Sequence, residues 1–160
     1  MSLPRATVAI LGTAALAALL AAAPAPGGDR AAAKAAKTCE GEQATIVGKK
    51  GDDENLNGTK KDDVIVGLSG QDVIDGRGGD DLICAGSDAD FIVGGGGDDL
   101  ANGDPGNDLM FGSGGKDELF GKEGDDAMQG QDGNDLCHGG PGGDLALRAN
   151  CERIQSADKV

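Results

Sequence analysis

Residues 58–147 read, nine at a time, GTKKDDVIV, GLSGQDVID, GRGGDDLIC, AGSDADFIV, GGGGDDLAN, GDPGNDLMF, GSGGKDELF, GKEGDDAMQ, GQDGNDLCH and GGPGGDLAL. These are ten consecutive units with no gap between them. The sixth position is Asp in every unit: Asp63, Asp72, Asp81, Asp90, Asp99, Asp108, Asp117, Asp126, Asp135 and Asp144. The first position is Gly in nine units, with Ala85 the exception, and the fourth is Gly in eight, with Lys61 and Asp88 the exceptions. Asp accounts for 22 of 160 residues, so ten in a single phase reflect periodicity and not acidity alone. A fixed period of this kind dictates the architecture and is read before anything else.

Each unit divides into six residues of turn and three of strand. The turn, G-x-x-G-x-D, places Gly where the backbone needs φ > 0 or a close approach to an ion. The strand is a short apolar run such as Val64-Ile65-Val66 or Leu82-Ile83-Cys84. Two units make one coil, and each unit stacks on the next but one with strands ~4.8 Å apart. The fold class expected is therefore all-β: a parallel β-solenoid, or β-roll, with two short-stranded sheets. The eighth position faces inward, giving Ile65, Ile83, Ala101, Leu119 and Cys137 on one sheet and Ile74, Ile92, Met110, Met128 and Ala146 on the other. That core is thin, and many glycines must be ordered around it.

The same stacking gathers the aspartates into two columns, Asp63–Asp81–Asp99–Asp117–Asp135 and Asp72–Asp90–Asp108–Asp126–Asp144. Carboxylates stacked at that spacing repel strongly unless a cation lies between them. A hard ion taking six or more oxygens is satisfied by two such carboxylates and turn carbonyls, here those near Gly70, Gly79, Gly97, Gly106, Gly115, Gly124 and Gly133. Mg²⁺ prefers a smaller octahedral shell and keeps its waters, so Ca²⁺ is the expected cofactor. Five Asp per column leave four gaps, so the two columns hold up to about eight ions. Calcium should then contribute much of the folding energy. The irregular turns at Lys60-Lys61 and at Ala85 with Asp88 mark Asp63 and Asp90 as the weaker positions.

Composition agrees. The formal net charge is -14, which opposes binding to nucleic acid or anionic lipid. Phe91, Phe111 and Phe120 are the only aromatics of the Phe, Trp and Tyr class, so a conventional core is not expected.

In chain order, Arg5 and the apolar run Ala6 to Ala23 read as a secretory signal peptide over residues 1–23 and not as an anchor. Cleavage falls after Ala21-Ala22-Ala23 or nearer Ala33 to Ala36, so the mature chain carries no membrane span. Residues 24–37 are an Ala-, Pro- and Gly-rich flexible leader. Residues 38–57 form an N-terminal cap, with a strand at Ala44 to Gly48 and a repeat-like loop one residue out of phase, since Asp53 precedes Asp63 by ten. Residues 148–160 form a C-terminal cap that shields open sheet edges.

Cys39, Cys84, Cys137 and Cys151 allow three connectivities in an oxidising compartment. Cys137 and Cys151 are close in sequence, which favours that pair and leaves Cys39 with Cys84 as staples at the two ends. Cys-x-x-Cys is absent from the sequence and His138 is the single His, so zinc is not expected.

The unit resembles the G-G-x-G-x-D-x-U-x nonapeptide of the RTX (haemolysin-type) calcium-binding proteins. The resemblance spans Gly58 to Leu147 and implies a right-handed parallel β-roll with calcium between successive turns. An N-terminal signal, a Cys-flanked array and Cys151-Glu152 together also resemble small secreted proteins of high-GC actinobacteria. RTX toxins and proteases leave by a C-terminal signal and carry a further domain; this chain shows neither, so toxin activity is not carried over.

The expected function is that of a secreted, extracellular calcium-binding protein with a structural or interaction role. The alternatives are a cell-surface adhesin or carbohydrate-binding module, weakened by the lack of Trp and Tyr, and a secreted hydrolase. For an enzyme there is no G-x-S-x-G and no H-E-x-x-H, and no catalytic residue is assigned. Seventh-position residues are also apolar (Val64, Val73, Leu82, Phe91, Leu100, Leu109, Leu136 and Leu145). They reflect either strand propensity or a lateral face for self-association or a cell-surface partner.

Overall fold

The computed structural model describes residues 38–146 and 151–156. The expected signal-peptide and leader segments, 1–37, lie outside the described residues, as do 147–150 and 157–160. Every regular element among the described residues is a strand. No helix there is long and apolar enough to cross a membrane.

In chain order the strands are β1 (Thr38–Cys39), β2 (Glu42–Gln43), β3 (Ile46–Val47), β4 (Leu56–Asn57), β5 (Val64–Ser69), β6 (Val73–Asp75), β7 (Leu82–Ser87), β8 (Phe91–Gly96), β9 (Leu100–Pro105), β10 (Leu109–Gly114), β11 (Glu118–Glu123), β12 (Ala127–Asp132), β13 (Asp135–Gly140), β14 (Leu145–Ala146) and β15 (Cys151–Ser156). They form a parallel β-solenoid with two sheets. One has seven strands in the order β15-β13-β11-β9-β7-β5-β3, and the other six in the order β14-β12-β10-β8-β6-β4. Register confirms the coil of two nonads: Leu82 pairs with Leu100 and Glu118 with Leu136, each 18 residues on.

The division of the unit differs from the one the pattern suggests. Most strands run six residues, from the seventh position through the third of the next unit, as in Phe91–Gly96. Only three residues remain for the turn. The cause is that equal coil length keeps neighbouring backbones level past the apolar triplet, so ladder hydrogen bonds continue through the glycines.

The eighth position faces inward as expected. Ile65, Ile74, Ile83, Ile92, Ala101, Met110, Leu119, Met128 and Cys137 are each at most 1% exposed. The Ala146 side chain lies outside those described. Leu56 and the partly buried Ile46 extend the two core rows toward the N-terminus.

At that end β3 and β4 add one more coil. Ile46 pairs with Ile65, 19 residues on, while Leu56 pairs with Ile74, 18 on. The odd spacing of Asp53 is thereby resolved. One extra residue at Glu54-Asn55 is absorbed between Asp53 and β4, and Asp53 stacks on Asp72. At the other end β15 pairs with β13 through a shifted register.

Both disulfides have the expected connectivity, Cys39–Cys84 and Cys137–Cys151. Their placement differs. Cys137 is inward and joins β13 to β15 at the end of the solenoid. Cys84 is a ninth-position residue, so alternation turns it outward. It ties the β1–β2 hairpin to the outer face of the seven-stranded sheet, not to the end. The hairpin turns at Glu40 and Gly41, both with positive φ, as a two-residue hairpin loop requires. It lies across β5 and β7, and Asn102 Nδ2 donates to Glu40 Oε1 at 3.1 Å.

Candidate metal centre

Each repeat aspartate immediately precedes a strand or, for Asp135, begins one, so the ten side chains are carried by the two sheets in register. They form the two expected columns. Asp63 is 8% exposed, and the next eight, through Asp135, are at most 4% exposed. Burying a carboxylate is costly unless its oxygens find partners.

One oxygen of each does. The backbone N–H of Asp63 donates to Asp81 Oδ1, that of Asp81 to Asp99 Oδ1, and that of Asp99 to Asp117 Oδ1, at 2.8, 2.8 and 3.0 Å. Asp117 continues to Asp135 at 3.0 Å. In the second column the series runs Asp72, Asp90, Asp108, Asp126 and Asp144, at 2.8, 2.9, 2.9 and 3.1 Å. Every carboxylate is thus held in one rotamer by the coil before it.

The other oxygen is left alone. Oδ2 of Asp72, Asp81, Asp90, Asp99, Asp108, Asp117, Asp126, Asp135 and Asp144 is buried and has no hydrogen-bond partner. Nine orphaned anionic oxygens in one small domain are far outside what native proteins tolerate without an ion.

The first-position glycines show where these oxygens point. A Cβ added at Gly67 would lie 2.6 Å from Asp72 Oδ2, and one at Gly94 2.6 Å from Asp99 Oδ2 and 2.8 Å from the Gly112 carbonyl oxygen. At Gly121 the same Cβ would meet Asp126 Oδ2 and, at 2.7 Å, the Gly139 carbonyl. The first-position Gly therefore keeps open a space lined by a carboxylate oxygen and a carbonyl of the next coil. These glycines do not have positive φ, so room and not backbone freedom explains them. Ala85 alone puts a methyl group in that space, beside Asp90.

The fourth-position residues take the left-handed conformation the turn requires: Gly70, Gly79, Gly97, Gly115, Gly124 and Gly133 have φ of 99° to 143°, and Asp88 matches them at 85°. Gly106 is not among them. The carbonyls of Gly79, Gly97, Gly106, Gly115 and Gly124 abut the fourth position of the next coil, in the same turns as the aspartates. The second position is left-handed as well, although it is often not Gly: Leu68, Arg77, Asp104, Ser113, Lys122 and Gln131 all have φ between 67° and 98°. Nothing in the residue types signals this strain, because the position varies freely.

A second, outer ladder lies beside the first. Asp62, Asp80 and Asp98 accept from the backbone N–H one coil on, at 2.8 to 3.0 Å. These fifth-position carboxylates are exposed and contribute no orphaned atom.

The N-terminal members of the columns are different. Asp63 Oδ2 accepts from the Thr59 N–H and hydroxyl, both at 2.8 Å, and its Oδ1 from the Thr45 hydroxyl at 3.1 Å. Asp53 accepts from the Lys49 N–H at 2.8 Å and pairs with its ammonium at 3.1 Å. Sequence reasoning missed Thr45, Thr59 and Lys49, which lie in or beside the units that break the pattern.

Ionisation follows the partners. Burial pushes the carboxyls of Asp90 and Asp99 up to about 7 and those of Asp81, Asp108 and Asp117 up to about 6, against backbone hydrogen bonds and with neighbouring aspartates adding to the rise. For Asp63 burial also acts upward, but the Thr59 and Thr45 hydrogen bonds outweigh it and the carboxyl lies below its ordinary value. The Lys49 N–H is the main cause that lowers Asp53.

Among the described residues no three His, Cys, Asp or Glu side chains converge on one point. An ion held here would draw on carboxylate and carbonyl oxygens together. That donor set suits a hard cation of high coordination number and not zinc or copper. The residues therefore fit calcium.

The family model for the RTX calcium-binding nonapeptide repeat (4 copies) matches residues 50–83, 85–119 and 111–146. No curated protein and no solved structure matches the chain.

Proposed function

Since the chain belongs to the family of RTX calcium-binding nonapeptide repeats, we propose that it is a secreted calcium-binding protein whose β-roll is completed by the ions it binds. The nine unpartnered Oδ2 atoms carry this reading. Asp72, Asp81, Asp90, Asp99, Asp108, Asp117, Asp126, Asp135 and Asp144 would hold the ions with turn carbonyls such as those of Gly79, Gly97, Gly106, Gly115 and Gly124. Up to about eight ions would bind between successive aspartates, four in each column. Asp63, whose oxygens already have protein donors, would be the weakest ligand of its column.

The bound cation would supply the positive charge that nine buried carboxylates lack. The chain's own part is to fix Oδ1 by the coil before, aim Oδ2 at the first-position glycine, and exclude water. In low calcium the repulsion among these carboxylates favours the unfolded chain; in extracellular calcium, near the 10⁻⁴–10⁻³ M dissociation constants of extracellular modules, the roll forms. Residues 1–23 would direct export, 24–37 would be a spacer, and both disulfides suit an oxidising compartment. The role is structural or interactive, not catalytic.

Far-UV circular dichroism of the oxidised chain under calcium titration tests this. A cooperative gain of β structure, reversed by chelator and little affected by magnesium, is the expected result. A β spectrum indifferent to calcium would overturn it.

A further inference from the structure

The two sheets present unlike outer faces. The seven-stranded sheet is covered on its N-terminal half by the β1–β2 hairpin, beneath which Val66 and Asn102 are at most 7% exposed. Of its outward positions Glu118 carries charge, and the turns that lead into its strands carry Asp62, Asp80, Asp98 and Lys116. The six-stranded sheet has no such cover among the described residues.

Five large hydrophobic side chains are exposed among the described residues: Val47, Val73, Phe91, Leu109 and Leu145. Four of them, all but Val47, form one ladder on the six-stranded sheet, with Val73 paired to Phe91, Phe91 to Leu109, and Leu109 through Ala127 to Leu145. Beside it stand Val93 and Phe111, with the Phe91 and Phe111 rings 5.7 Å apart. A shallow groove of about 440 Å³ follows the ladder past Val73, Phe91 and Leu109. Strands β8 and β10, FIVGGG and LMFGSG, contain no ionisable residue, and the fifth positions before them are Ala89 and Asn107. In a chain that is 26% charged, this is a patch from which charge has been removed. The seventh position is apolar on the other sheet too, at Val64, Leu82, Leu100 and Leu136, but there those side chains are half-buried; what sets this face apart is that its ladder is exposed and its central strands carry no charge.

We propose that this face is a self-association surface, its occupant the same face of a second copy. Copies of an acidic chain repel least where exposed carboxylates are sparse, and among the described residues β8 and β10 carry none, Asp75 standing at the N-terminal end of the row beside the ladder. A two-fold axis lying in the plane of the contact and perpendicular to the ladder makes the contact isologous. It also runs the two ladders antiparallel, so Asp52 and Glu54 at the N-terminal end of one groove lie clear of those of the other. The ladder is about 19 Å tall at ordinary strand spacing, which places the contact among small, weak interfaces.

Sedimentation equilibrium of the oxidised chain in calcium, at concentrations to about 1 mM, tests the proposal. A monomer–dimer equilibrium is expected. Leu109→Asp or Phe91→Asp should weaken it by about tenfold or more, as loss of a central apolar anchor does. Glu118→Gln, at the equivalent position of the other sheet, should leave it unchanged. Circular dichroism of the same samples separates loss of the fold from loss of the interface. If the aspartate variants lose their β spectrum, Leu145→Lys is read instead, at a site 58% exposed. A folded wild-type chain that stays monomeric overturns the proposal. So does association that survives every substitution on this face.

Discussion

Asp63 and Asp99 hold the same position of the repeat and stand two coils apart in one column. Asp63 has both oxygens filled by hydroxyls and an N–H of its own chain. Asp99 has one oxygen held by the coil before and the other buried without a partner. The first is depressed below the ordinary carboxylate value; the second is raised to about 7. Asp63 lies between the irregular N-terminal coil, whose Thr45 reaches it, and its own irregular unit, which supplies Thr59. An interior coil is enclosed by identical coils, which offer only more carboxylates and carbonyls. The N-terminal end of the roll is thus self-sufficient, and the coils beyond it must import charge.

The largest expected effect comes from deleting the charge at each place. Asp99→Asn should raise the calcium midpoint of folding by about tenfold or more, the scale of losing a metal-binding group. Asp63→Asn should leave that midpoint within about twofold and instead lower stability in saturating calcium by about 1–3 kcal/mol, the cost of disrupted buried hydrogen bonds. Titrations followed by circular dichroism measure both, and equal midpoints would abolish the distinction.

Acidity acts on the interior next. Carboxyls raised to about 6 or 7 bind more protons in the folded state than in the unfolded one. In chelator, stability should therefore fall as pH rises from about 4 to about 7. In calcium the dependence should reverse, because the ion competes with the proton. Asp63 is depressed, so its contribution is present above the unfolded value and lost as pH falls below it. Thermal unfolding across that range, with and without calcium, reads the sign.

Gly94→Ala comes third. It places a methyl group against Asp99 Oδ2 and should destabilise by about 1–3 kcal/mol through overpacking, visible in calcium as a lowered unfolding temperature. Thr59→Val should cost a comparable or smaller amount, about 1 kcal/mol, by removing one of the two donors to Asp63 Oδ2 and leaving only the backbone N–H. It should also lift the Asp63 carboxyl, which carbon-detected NMR titration reports. Lys49→Ala is the smallest: the ammonium is exposed, and such exposed ion pairs add little to stability. A larger loss in chemical denaturation would show that the end depends on that ammonium.

Much of the interior was legible because its residues repeat. The Asp phase alone located both columns, and the eighth position alone located the core. The N-terminal end was not legible for the opposite reason. Thr45, Thr59 and Lys49 occur once each in their roles and obey no period, and the extra residue at Glu54-Asn55 hides the alignment of Asp53 with Asp72. The left-handed second position was also invisible, since Leu68, Arg77 and Lys122 carry no mark of the conformation they adopt.

Periodicity by itself determined the coil, the two sheets, the inward row and the aspartate columns, because identical units stacked at one spacing leave a single regular solution. Tertiary structure alone decided which oxygen of each carboxylate is satisfied, that the first-position glycine clears space for the other, and that Cys39–Cys84 holds a hairpin on one face. It also decided that the other sheet's apolar ladder stays bare among the described residues. Each of these depends on what lies beside a residue across coils, a relation set by three-dimensional packing and not by residue type.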